Sequence, residues 1–355
     1  MSQRVLITGG AGFVGSALGL GFAQRHPDWQ ITALDNLKRR GSELNLPRLK
    51  QAGIQFIHGD VRSAEDLDPV ALKPDLILEC SAEPSVLAGY ASPKYVLQTN
   101  LVGTINCLEL ARATQADFIF LSTSRVYPIE SLNALKFEET ETRFQLLEQQ
   151  SSPGLSSQGI SEEFPLNGAR SLYGATKLAS ELLVAEYAAA YGLRTLVNRC
   201  GVLTGPWQMG KVDQGVFALW MAFHYFERSL KYIGYGGTGK QVRDFLHVSD
   251  LLDLLDLQIQ SLSALAGETF NVGGGSDNTL SLYETTQLCQ QITGHQIPIT
   301  PVPETRVGDV PIFITDSRKV MAATGWQPQK GVEITLTEIY QWIIQFQDQV
   351  KEIFL

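Results

Sequence analysis

The sequence predicts an α/β protein: a doubly wound parallel sheet followed by a smaller C-terminal α/β domain. Three observations carry that reading. Short β-rich runs alternate with helical stretches through the first half, a glycine-rich turn joins the first run to the first helix, and the alternation loosens beyond Gly201. Short, nearly all-apolar strands separated by helices indicate a parallel sheet covered on both faces. In such folds ligands gather at the carboxyl ends of the strands.

The predicted strands are RVLITGG (4–10), QITALDN (30–36), IQFIHGD (54–60), DLILECSA (75–82) and DFIFLSTS (117–124). Between the last two, VLQTNLVGTINCLELARAT sets apolar residues at helical spacing. Residues 128–168 are rich in Glu, Ser, Gln, Pro and Gly with little periodicity, and are expected to form a long surface loop. The helix SLYGATKLASELLVAEYAAAYG and the strand RTLVNRCGV follow. Gly and Pro clusters and fragments such as KYIGYGG then mark the second domain, and FLHVSDLLDLLDLQI is expected to cross back to the sheet. The expected division assigns residues 1–199 and about 240–266 to the sheet domain, and 200–239 and 267–355 to the other.

Bulk composition narrows the classes of function. The 355 residues suffice for a large core, and 44% hydrophobic with 18% charged residues is the balance of a soluble fold. A net charge of −9 opposes a nucleic-acid partner, which needs a basic face. Cys80, Cys107, Cys200 and Cys289 are far apart, with neither a CxxC pair nor zinc spacing, so reduced thiols are expected. None of the five histidines has a partner at ligand spacing; no metal is predicted, and His247 is read as structural. The first residues do not resemble a signal peptide, and no apolar run reaches the ~20 residues of a membrane span. A cytoplasmic protein is therefore expected.

Gly9, Gly12 and Gly15 form GxxGxxG between the first strand and its helix. Glycines there let the backbone approach a pyrophosphate, which sits on the helix N-terminal amides. The arrangement is Rossmann-like. Asp35 ends the second strand twenty residues beyond Gly15, where a carboxylate suits the ribose 2′- and 3′-hydroxyls. That carboxylate repels a 2′-phosphate and favours NAD over NADP, although Lys38, Arg39 and Arg40 follow closely. Asp60, in HGDV, has two readings: an acceptor for the adenine amino group, or a strand-terminal cap.

The run FLSTSRVYP ends a buried strand in three hydroxyls, Ser122, Thr123 and Ser124, and then Arg125. Downstream, Tyr173 and Lys177 in YGATK share one helical face. A tyrosine, with a usual pKa of about 10, is a poor base at neutral pH. A nearby ammonium and a positive nicotinamide ring stabilise its phenolate. A YxxxK pair alone is common; its place after the glycine loop and the hydroxyl strand gives it meaning.

TGGAGFVGS, TSRVY, YGATK, NRCGVLTGPWQMGKVDQG, GKQVRDFLHVSD, FNVGGG and TRVGDVPIFITDSRKV together resemble the extended short-chain dehydrogenase/reductase family of nucleotide-sugar epimerases and dehydratases. The resemblance covers nearly the whole chain. Within that family it is most similar to the CDP-paratose (CDP-tyvelose) 2-epimerases. It implies Thr123 as the catalytic hydroxyl, Tyr173 as the base and Lys177 as its partner on the nicotinamide ribose. It implies cofactor contacts from Gly9, Ala11, Gly12, Phe13, Val14 and Gly15, from Asp35, Asn36, Asp60 and Val61, and from Ser81, Ala82, Asn100, Tyr173 and Lys177. For the substrate it implies Thr123, Ser124 and Arg125, the loop residues Lys211, Asp213 and Gln214, Arg243 and Arg306 around the diphosphate, and Asp309 either holding Arg306 or contacting the nucleotide ribose. Asn100 and Arg199 are implied as supports of the site.

Family 4,6-dehydratases carry an acidic pair after the threonine, where Ser124 and Arg125 stand here; without those acids, elimination of water lacks its proton donor and acceptor. The implied reaction is a transient oxidation. Tyr173 takes the proton of a ring hydroxyl, hydride passes to NAD, and the ketone is reduced again on its other face. The implied substrate is a nucleotide-diphosphate sugar, foremost a CDP-hexose, and helices near 97–113 and 172–191 imply a homodimer. The alternatives are a C4 epimerase of UDP-sugars and a non-catalytic NAD-binding protein of the same fold.

Overall fold

Strands Arg4–Thr8 (β1), Gln30–Asp35 (β2), Gln55–His58 (β3), Leu76–Glu79 (β4), Asp117–Thr123 (β5), Thr195–Cys200 (β6) and Thr269–Val272 (β7) pair in the order β7-β6-β5-β4-β1-β2-β3. Every pairing is parallel. The computed structural model describes residues 2–211 and 214–354. Its longer helices are Phe13–Arg25 (α1), Gly103–Thr114 (α2), Leu172–Tyr191 (α3), Val216–Tyr225 (α4), Val248–Gln260 (α5), Leu282–Thr293 (α6) and Val332–Gln345 (α7).

Alternate residues along each strand serve opposite faces. Val5, Ile7, Leu76, Leu78 and Ile119 pack with Leu18 and Phe22 of α1 and Leu251, Leu254 and Leu255 of α5. Leu6, Ile77, Phe118 and Phe120 pack with Cys107, Leu108 and Ala111 of α2 and Val184 of α3. Burial on both sides explains the near-continuous apolar runs. The crossing back through 245–259 is realised as α5, which lies against α1 where Gly21 leaves room for Leu252.

Two strands lie elsewhere than the sequence reading places them. Thr269–Val272, read as part of the second domain, is the edge of the central sheet beside β6. Val242–His247, read with the first domain, pairs instead with Val202–Thr204, Thr279–Ser281 and Ile312–Phe313 in a smaller sheet. A short apolar strand carries no mark of the sheet it will join. Around the smaller sheet, Phe217, Trp220 and Met221 of α4, Cys289 of α6 and Leu336, Ile339 and Trp342 of α7 form a second core.

The expectation of a surface loop over 128–168 is corrected. The segment holds the helix Ile129–Asn133 and two hairpins, Phe137–Glu139 with Phe144–Leu146 and Leu155–Ser156 with Gly159–Ile160. Leu132, Phe144, Leu146, Ile160 and Phe164 are buried in a third cluster with Tyr127 and Ile312. Hairpins of two or three residues are too short to show a period. No helix among the described residues is long and apolar enough to cross a membrane.

Candidate active site

The strand order reverses between β1 and β4, and a cleft opens at their carboxyl ends, as doubly wound sheets require. One cavity of about 1020 Å³ runs from the glycine turn to the second core. Gly9 leaves β1 at φ +64°, and a Cβ there sits 2.9 Å from Ser81 Cα. At Gly15 a Cβ falls 2.3 Å from the Gly9 carbonyl oxygen, closer than any side chain permits. Asp35 Oδ2 accepts the Ala11 N–H at 3.1 Å, and Asn45 Nδ2 donates to the Ala11 carbonyl at 2.9 Å. Gly12 stands at the N-cap of α1 with no side-chain cap, which leaves the first amides of the helix for an anion.

Those features fit the diphosphate of a dinucleotide. Gly9, Gly12, Phe13, Val14 and Gly15 line the cavity, followed by Asp35, Asn36, Val61, Ser81 and Ala82. Gly15→Ala is expected to leave a folded protein without bound NAD; denaturing the purified variant and assaying the released cofactor checks this.

Burial raises the Asp35 carboxyl above its ordinary range, opposed by hydrogen bonds from the Leu37 and Ala11 amides. Its neighbouring cations are engaged. Arg39 donates to Gln214 Oε1 and to the Met209 carbonyl, Arg40 to the Glu352 carbonyl, and Lys38 lies 5.8 Å from the Tyr95 ring centroid. Asp60 is not among the residues lining the cavity. Its carboxylate takes Arg62 and Asn36 Nδ2, and the Arg62 bond holds its pKa down to about 2. Because it also accepts the Arg62 amide at 3.0 Å, the strand-terminal cap is the reading the geometry supports.

Thr123, at the end of β5, and Tyr173, in the first turn of α3, come together in the cleft. The helix starts where it does because Ser171 Oγ accepts the Gly174 amide at 3.1 Å. Burial pushes the Tyr173 phenol up to about 12, against the neighbouring Thr123 hydroxyl and the charge of Arg125. The charge of Arg125 thus adds to the cation that the resemblance implies in Lys177. Lys177, 1% exposed, places Nζ 3.8 Å from the centroid of the Phe120 ring. Asn100 sits in a π-turn, Gln98–Val102, a distortion common at functional sites. Its side chain accepts the Glu83 amide at 2.7 Å and donates to Thr176 Oγ1 at 3.2 Å, tying the β4 loop to α3.

Beneath the hydroxyls lies a buried polar chain. Ser122 Oγ donates to Glu181, Arg199 pairs with Glu181 at 2.7 Å, and Arg199 also donates to the Tyr127 hydroxyl. Tyr127 in turn donates to Asn271 Oδ1 at 2.7 Å. Burial disfavours the Arg199 charge, yet its bonds to Glu181 leave the guanidinium holding its proton more firmly than usual. Arg199 thus lies beneath the hydroxyls with its guanidinium committed to Glu181 and Tyr127.

Ser124, Arg125, Lys211, Gln214, Arg243, Arg306 and Asp309 also line the cavity. Arg125 donates to the Gly308 carbonyl at 3.2 Å, and Arg243 pairs with Asp309 at 2.8 Å. Lys211 and Gln214 bridge each other through their backbones; Asp213 lies outside the described residues. His247 caps α5, accepting the Ser249 amide at 3.1 Å. The sequence reading missed Glu79, whose only sign was an acid ending an apolar strand. It also missed the far wall, where Trp220, Phe223, Leu230, Gln241 and Leu280 form no motif.

Known proteins resemble this chain in sequence and in fold. Over 352 residues the chain is 30% identical to the CDP-paratose 2-epimerase of Salmonella typhi, covering 96% of this chain and 99% of that one. It is 28% identical over 347 residues to the dTDP-glucose 4,6-dehydratase of Streptomyces niveus, covering 96% and 92%. The solved UDP-glucose 4-epimerase of Thermus thermophilus, in complex with NAD, superposes with a TM-score of 0.76 at 26% identity over 96% of this chain and 99% of that one. Residues 5–273, from β1 through β7 and so the whole glycine turn and the Thr123–Tyr173 pair, match a single family description, and the chain belongs to that NAD dependent epimerase/dehydratase family.

Proposed function

We propose that the protein is an NAD-dependent nucleotide-sugar 2-epimerase acting on a CDP-hexose. The observation that carries this reading is Arg125. A half-buried cation lies beside Tyr173 where a dehydratase would present an acid, and it also lies near the Arg243–Asp309 pair. Thr123 and Tyr173 hold one sugar alcohol between them. Tyr173 accepts its proton and later returns it, while Thr123 keeps the oxygen in place. Bound NAD supplies the acceptance and return of hydride. Arg243 and Arg306 clasp the substrate diphosphate, for which a guanidinium fork is suited, so the sugar is free to turn over. The central-sheet domain holds the cofactor, and the smaller sheet with its helices holds the nucleotide-sugar.

The protein acts as a homodimer in this proposal, through α2, α3 and the turn before α2, where Leu182 is 64% and Leu97 40% exposed. All four cysteines are free thiols, which fits a reducing compartment. Incubation with CDP- and UDP-sugars in deuterated water, followed by NMR, tests the reaction. Inversion at C2 without deuterium at that carbon is expected; inversion at C4 alone overturns the reading.

A further inference from the structure

Glu79 closes β4, and its position follows from strand alternation. Leu78 faces α1 and α5, so its successor faces α2 and α3. The register partner of Glu79 on β5 is Phe120, on the same face. Lys177 reaches in from α3 and stacks on that same ring. The Glu79 side chain is fully shielded from solvent, and Thr104 Oγ1 of α2 donates to it at 2.9 Å.

A buried carboxyl and a buried amine in one apolar layer have two self-consistent states, both neutral or both charged. Burial pushes Glu79 up to about 7, opposed first by the Lys177 charge and then by bonds from Thr104 and Ser81. Burial likewise lowers Lys177, opposed first by Glu79. Each is the other's largest electrostatic support. Glu181, a turn farther along α3, also faces Lys177 but is committed to Arg199 and Ser122. Cys80, Cys107 and Cys200 face the pair from the end of β4, from α2 and from β6; burial raises all three thiols, so they stay neutral. Arg125 and Glu83 act on Tyr173.

We propose that Glu79 is a positioning residue for the Tyr173–Lys177 pair: its carboxylate is the counter-ion that keeps the Lys177 ammonium charged and seated over Phe120. The proposal rests on the function proposed above and on the part that the family resemblance implies for Lys177 beside Tyr173. A neutral Lys177 has lost the charge that favours the Tyr173 phenolate and one of its donor protons to a nicotinamide ribose. Glu79 raises the lysine pKa, so its ammonium is present at low pH and lost as pH rises through the folded value. Without Glu79 that loss comes at lower pH.

Glu79→Gln keeps an acceptor for Thr104 and removes the charge. Lysine labelled with ¹³C at Cε, with Lys177 assigned through a Lys177→Arg variant, reports the titration directly in the cofactor-containing protein. The Lys177 midpoint is expected to fall by about one pH unit or more. The alkaline limb of the turnover profile should fall with it. An unmoved or raised midpoint overturns the proposal, as does a uniform loss of rate with the limb in place. Thr104→Val, which weakens the carboxylate's hydrogen bonding, should shift the midpoint the same way by less, and provides the test if Glu79→Gln does not fold. If the unaltered protein turns over no CDP-sugar, the proposed reaction fails, and the lysine titration still decides this point.

Discussion

Tyr173→Phe is expected to lower kcat by about 10²–10⁴-fold, the usual contribution of a positioned proton-transfer group, with NAD content unchanged. The substitution removes one oxygen and keeps the ring that α3 packs into the cleft. Thr123 still binds the sugar alcohol, so KM should move little. The proton, however, has no acceptor. Because burial holds the free phenol near 12, the unaltered enzyme should gain rate as pH rises on its acid limb, and the Phe variant should lose that limb. Stopped-assay turnover across pH, with NAD released and assayed from each preparation, checks both statements. Turnover surviving within tenfold would remove Tyr173 as the base.

The largest effect on stability is expected at Arg199. Its guanidinium and the Glu181 carboxylate are 8% and 7% exposed, and removing one partner strands the other charge. Arg199→Leu should cost about 3–5 kcal/mol, the range for breaking a buried pair, seen as a lower urea midpoint with a similar slope. Arg199→Leu with Glu181→Leu should be more stable than Arg199→Leu alone, because no uncompensated charge remains. A double variant as unstable as the sum of the singles would show that the pair is not coupled.

What could be read from the sequence is what local chemistry dictates. The strands β1 to β6, the GxxGxxG turn and the Thr123, Tyr173 and Lys177 set each announce themselves within a few residues, because hydrophobic runs, left-handed glycines and helical spacing are short-range signals. The stretch of β7 was visible only as the motif FNVGGG, and its place in the central sheet was hidden, since sheet order is a property of the whole chain. The packing of 128–168 was hidden because Leu132, Phe144 and Ile160 come singly, each supported by a distant partner. Asp60 carried two readings in the sequence, and only the fold shows Arg62, two residues on, taking its carboxylate. The action of Arg125 on the phenol was hidden for a similar reason: it is far from Tyr173 in sequence and near it in space. Glu79 reads as a solvated strand end, and only the covering of α2 and α3 turns it into a buried charge.

The polar chain from Ser122 to Asn271 fastens four separate stretches of polypeptide under the reacting hydroxyls. The rim opposite, near Gly308 and Gln214, hangs from the guanidinium groups of Arg125 and Arg39. Errors in the foundation would be transmitted to Thr123 within a few bonds, whereas the margin can be redrawn residue by residue. A lineage adopting a different sugar on this scaffold would thus vary along its lip and inherit the bedrock unchanged.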